Sequence, residues 1–179
     1  VYFIDNDEYF KRKAIFSDED DQLFSDNDER AIFFAKGVVE TVKKLNWAPD
    51  IIHVHGWMAS LLPLYIKEYY SDEPLFSESK IITSVYNKDF EGELNKDLAE
   101  KIKFDKISDD KIQVLQEPNY TNIIKSAVSN SDAIVQGSQE IPKEISEEIE
   151  KTDIPALTYQ EEDSFESYLN FYKELISEE

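Results

Sequence analysis

The chain has 179 residues, 41% of them hydrophobic, enough for one domain with its own core and too few for two of ordinary size. With 19 Lys and Arg against 39 Asp and Glu the formal charge is −20, which repels a phosphate backbone and excludes nucleic acid as a partner. There is no cysteine, hence no disulfide, thiolate nucleophile or zinc knuckle, and no apolar run approaches the roughly twenty residues that cross a bilayer.

The chain opens on the apolar run Val1-Tyr2-Phe3-Ile4, read as a strand over 1–5. The only methionine is Met58, so the sequence is expected to be the N-terminally incomplete remainder of a longer polypeptide. Asp26-Asn27-Asp28-Glu29 offers an acidic cap with a carboxylate three residues on, and Ala31, Ala35, Val38, Val42 and Leu45 then share one face of a helix. A strand over 51–55 ends at the corner His55-Gly56-Trp57, and a helix follows from about Met58 to Tyr70, with Pro63 tolerated in its first turns. A third strand spans 81–86. The polar region 93–118 is expected to carry short helices, 119–130 a longer one, and 133–137 a fourth strand. Phe165, Leu169, Tyr172 and Ile176 predict an amphipathic closing helix at about 163–177. Strands alternating with helices predict an α/β fold, three-layered and Rossmann-like with a mostly parallel sheet, over a single domain 1–179. Acidic runs at 17–21, 146–150 and 160–163 read as solvated surface.

Three of the four glycines, Gly56, Gly92 and Gly137, fall at or soon after strand carboxyl ends, the edge where an open parallel sheet binds ligands. No glycine-rich phosphate loop is present, so no cofactor is assigned, and a nucleotide sugar needs another domain. His53 and His55 point to one face of their strand but lack a third ligand at recognisable spacing, so no metal site is assigned. His55, nearest the strand end, is a candidate donor to a sugar hydroxyl. Trp57 either stacks on a sugar ring or plugs the junction between helix and sheet. Asp89 and Glu91, in the loop after the third strand, are either an acid/base pair or solvated carboxylates.

Several ordered motifs carry a resemblance to a known family. They are Val1-Tyr2-Phe3-Ile4-Asp5-Asn6 with Tyr9-Phe10-Lys11-Arg12, Asp26-Asn27-Asp28-Glu29-Arg30 with Phe33-Phe34, and Trp47-Ala48-Pro49-Asp50-Ile51-Ile52-His53. Further on come Asn122-Ile123-Ile124-Lys125-Ser126-Ala127 and Ser131-Asp132-Ala133-Ile134-Val135 with Ser138. Together they resemble the N-terminal, acceptor-side half of the catalytic core of family 5 glycosyltransferases, the bacterial glycogen and starch synthases. The resemblance implies one half of a GT-B architecture, in which two Rossmann-like domains face each other across a cleft. It also implies transfer of glucose from ADP-glucose to an α-1,4-glucan, in carbohydrate metabolism and glycogen biosynthesis.

This chain departs from the family pattern at its reactive positions. Where the family reads His-Asp-Trp-His, it has His55-Gly56-Trp57-Met58; where the family reads His-Asn and then Tyr-Gln-Gly, it has Tyr86-Asn87 and Phe90-Glu91-Gly92. A carboxylate and imidazoles implied at Gly56, Met58 and Tyr86 are therefore absent, and the cations that would stabilise a departing ADP belong to the family's second domain. The expected function is that of a synthase-like glycosyltransferase domain that is impaired or depends on a partner holding the donor. The alternatives are a non-catalytic α-glucan-binding or regulatory module and a structural subunit capping a partner's cleft. The expected cleft residues are His55, Gly56, Trp57, Tyr86, Asn87 and Glu91. α-Glucan or maltooligosaccharide is the expected ligand, ADP-glucose is not expected without a second domain, and the expected location is cytoplasmic.

Overall fold

The computed structural model describes residues 2–161 and 164–177, so Val1 of the expected first strand and Asp163 of the expected closing helix lie outside the described residues. Four strands, β1 (Ile51–His55), β2 (Lys80–Val85), β3 (Ala133–Gln136) and β4 (Ala156–Leu157), form one sheet in the order β1-β2-β3-β4, and every pair is parallel. The helices in chain order are α1 (Asp7–Phe10), α2 (Asn27–Lys44), α3 (Leu62–Leu64), α4 (Leu98–Lys103), α5 (Asp109–Ile112), α6 (Tyr120–Ser129), α7 (Lys143–Glu150) and α8 (Phe165–Ser177).

Because the strand order never reverses, crossovers of one hand all fall on one side of the sheet. The larger core lies there. Val54, Ile81, Val85 and Ile134 meet Ala31, Ala35 and Val39 of α2, Ile123 and Ile124 of α6, and Ile145 of α7. The alternate residues Ile82, Ala133 and Val135 point to the other face, where Phe171 and Leu175 of α8 cover them. The result is an α/β sandwich with helices on both faces of a parallel sheet, as the alternation of elements predicts.

Residues 2–5 are not a strand, contrary to expectation. Tyr2 and Phe3 are exposed, and Ile4 packs across Gly37 of α2. The capping signal immediately downstream prevails: the Asn6 side chain accepts the Tyr9 N–H at 3.0 Å and starts α1. Asp26 does not cap α2 through its side chain; it pairs with Arg12, whose guanidinium holds the Asp26 carboxyl below the usual range. The segment expected as one helix from Met58 to Tyr70 is broken into a 3₁₀ turn at Trp57–Ala59, α3, and a π turn at Tyr65–Tyr69, with Pro63 near the start of α3. β4 and α7 were not legible either. β4 has only two residues, and α7 lies in a run whose acidity reads as surface although Ile145 is fully buried.

The closing helix forms, but on a different face from the one its spacing predicts. Phe171 and Leu175 are buried, with Tyr168 and Tyr172 partly buried beside them, while Phe165, Leu169 and Ile176 remain exposed. Tyr172 borders both faces, and the apolar floor of Ile82, Ala133 and Val135 takes the one that carries Phe171 and Leu175, which sets Tyr172 beside His53 of β1. Among the described residues, no helix is long and apolar enough to cross a membrane.

Candidate functional site

The site grows from the carboxyl ends of β1 and β2, which pair with His55 opposite Ser84. The period-two alternation of a strand brings His53 and His55 to the same face, with ring centroids 4.1 Å apart. His53 lies between two hydroxyls, Tyr172 Oη at 2.6 Å from Nδ1 and Ser84 Oγ at 2.8 Å from Nε2. A neutral imidazole satisfies both, donating through one nitrogen and accepting through the other. Burial, reinforced by the neighbouring His55, pushes the His53 pKa down to about 4. Partial burial also lowers that of His55, whose Nδ1 is 2.8 Å from the Tyr86 hydroxyl. The pair is thus a neutral hydrogen-bonding ladder at pH 7. Among the described residues, no group of three or more His, Asp or Glu is placed to hold a metal ion.

Gly56 turns the chain out of β1 with φ +74 and ψ 156, a region open essentially to glycine alone. Nothing lies within 4 Å of where its Cβ would be, so backbone geometry rather than space demands glycine here. Trp57, next in line, is 2% exposed and sits between Phe16 and Phe90 at centroid distances of 4.9 and 5.1 Å. It plugs the junction between helix and sheet and borders the cavity. Met58 is partly buried against the same core.

After β2 the chain delivers Tyr86, whose ring lies directly on Gly137; a Cβ there would come within 2.8 Å of Tyr86 Cδ1. The Tyr120 hydroxyl donates to the Tyr86 carbonyl at 3.1 Å. The Asn87 N–H donates to Ser138 Oγ at 3.2 Å, while Asn87 Oδ1 accepts the Lys88 N–H. Glu91 is exposed and pairs with Lys88 at 2.5 Å. Partial burial raises the pKa of the neighbouring Asp89. Phe16, Trp57, Lys88, Asp89, Phe90 and Glu91 line a cavity of about 400 Å³.

The six expected residues therefore fall into two groups along one edge. His55 and Tyr86 are joined by a hydrogen bond on the α8 side. Trp57 and Glu91 border the cavity on the other side, with Gly56 as the corner and Asn87 as a bracket to Ser138. Sequence reasoning missed Ser84 and Tyr172. Ser84 was within reach, because it lies two residues before Tyr86 on the same strand, whereas nothing local ties Tyr172 to a histidine 119 residues away.

A profile of the starch synthase catalytic domain matches residues 1–157. A glycogen synthase of Chlorobium luteolum is 35% identical over 142 residues, covering 78% of this chain and 28% of that protein. One of Clostridium perfringens is 29% identical over 147 residues, covering 80% and 29% respectively. A third, from Chlorobium limicola, is 44% identical over 88 residues, 49% of this chain and 18% of its own length. The chain thus spans less than a third of the length of these relatives. With most of its length matched and its helix-flanked parallel sheet in place, the chain belongs to the starch synthase catalytic domain family.

Proposed function

We propose that residues 1–179 form one Rossmann-like unit that acts as the acceptor side of a glycogen- or starch-synthase-type glucosyltransferase and binds α-glucan along the carboxyl edge of its sheet. In this reading the unit is half of a GT-B pair in the cytoplasm. ADP-glucose is held by a separate unit, on the same polypeptide or on a protein partner. The observation that carries the reading is the hydrogen-bonded pair His55–Tyr86 at the strand ends of a chain in this family. Its neutral imidazole and phenol can exchange hydrogen bonds with sugar hydroxyls without attracting an anion, in keeping with a charge of −20.

Transfer by this chain alone is expected to be negligible. The backbone at Gly56 disfavours any residue with a side chain, and Tyr86 fills the space above Gly137 where the resemblance implies a histidine. The same two features support a second reading, a non-catalytic glucan-binding module. Native electrophoresis through gels containing glycogen, with radiolabelled ADP-glucose assayed in parallel, tests both. Retardation by glycogen with no incorporated glucose is expected. Incorporation would remove the claim of impairment, and unchanged mobility would remove glucan binding.

A further inference from the structure

A second cavity, of about 550 Å³, opens beside the first group of site residues, between the carboxyl end of β3 and the start of α8. Its size is within the ~300–1,000 Å³ range of small-molecule sites. Tyr159, Phe165 and Tyr168 supply aromatic surface, Gln160 and Ser164 an amide and a hydroxyl, and Gly137 the floor. Gly137 lies against the Tyr86 ring, which bonds His55, so the cavity adjoins that part of the edge. Except for Gly137, this lining follows residue 157, where the family match ends.

The chemistry of the lining selects the ligand. Phe165 is 78% exposed and Tyr159 39% exposed, so both rings are accessible to a ligand. Among the described residues the one charged lining group is Glu161, a carboxylate that accepts from hydroxyls and repels anions. Ring faces bear partial negative charge and attract the polarised C–H groups on one face of a pyranose, while amide, hydroxyl and carboxylate meet its equatorial hydroxyls. Among the described lining residues there is no cation for a phosphorylated or nucleotide ligand.

We propose that this cavity is an additional subsite for a neutral oligosaccharide, in which Tyr159 and Phe165 stack on successive sugar rings of a glucan lying along the carboxyl edge. The inference rests on the glucan-binding reading and adds to it a subsite outside the matched family segment. Both aromatic side chains are exposed, so their removal leaves the fold intact.

The test is a titration of the ¹⁵N-labelled full chain with maltoheptaose, followed by NMR, for the wild type and for Tyr159→Ala, Phe165→Ala and Phe165→Trp. Shifts centred on Gly137, Tyr159, Gln160, Ser164 and Tyr168, affinity about tenfold weaker in each alanine variant, and recovery in Phe165→Trp are expected. Shifts confined to the surroundings of His55 and Tyr86, with all variants binding like the wild type, would overturn the subsite and leave the glucan-binding reading standing. Absence of shifts anywhere at millimolar maltoheptaose would overturn both.

Discussion

At the scale of single residues, the site is governed by two positions where the chain departs from the family pattern. Gly56 occupies a conformation that strains any L-residue by roughly 1–3 kcal/mol, although its Cβ position is empty. Gly56→Ala is therefore expected to destabilise the protein by that amount in urea unfolding, and Gly56→Asp to do the same while reintroducing a carboxylate. Unchanged midpoints would show that the turn relaxes freely. His53 makes a different kind of prediction. Its folded pKa of about 4 lies below the ordinary value near 6.5, so between these values the unfolded chain binds more protons than the folded one. His53's contribution to stability is whole above pH 6.5 and is lost as pH falls toward 4, reaching up to about 2 kcal/mol at pH 5 and less insofar as water reaches the ring. His53→Gln should flatten this part of the pH profile relative to wild type; parallel profiles would contradict the assignment. His55, Gly56 and Tyr86 were legible as neighbours because strand ends and glycines mark a sheet edge. The pairing of His53 with Tyr172 was not, because it depends on which face of a distant helix docks.

Among the elements, α8 shows how far periodicity reaches. The spacing of Phe165, Leu169, Tyr172 and Ile176 predicts a helix, and the helix is there, yet Phe171 and Leu175 are its buried residues. An isolated helix with two apolar stripes has no means of choosing between them, and the choice comes from the sheet floor it meets. Leu175→Ala should cost roughly 2–5 kcal/mol of α8 docking, read as faster proteolysis of the tail, while Leu169→Ala should stay within about 0.5 kcal/mol of wild type. A large cost for Leu169→Ala with little for Leu175→Ala would mean that α8 docks through the other stripe. The long helices α2 and α6 were legible, α2 from its apolar spacing; the Asn119 side chain, which accepts the Asn122 N–H, starts α6. The run at 2–5 and the two-residue β4 carry too little pattern to separate strand from coil without knowing the sheet edge each would join.

For the whole molecule, one sheet divides the chemistry. Its crossover helices build the larger core, and the opposite face holds the imidazole ladder beneath a single helix. The net charge of −20 disfavours anions, and the polar groups at the carboxyl edge are neutral imidazoles, phenols and amides beside carboxylates, with Lys88 paired to Glu91. On the proposed reading, such an edge suits a polyhydroxyl chain rather than a nucleotide diphosphate. Isothermal titration of the whole chain with maltoheptaose and, separately, with ADP-glucose tests this most directly. The account predicts saturable heat with maltoheptaose and none with ADP-glucose; heat with ADP-glucose, or silence with the glucan, would contradict it.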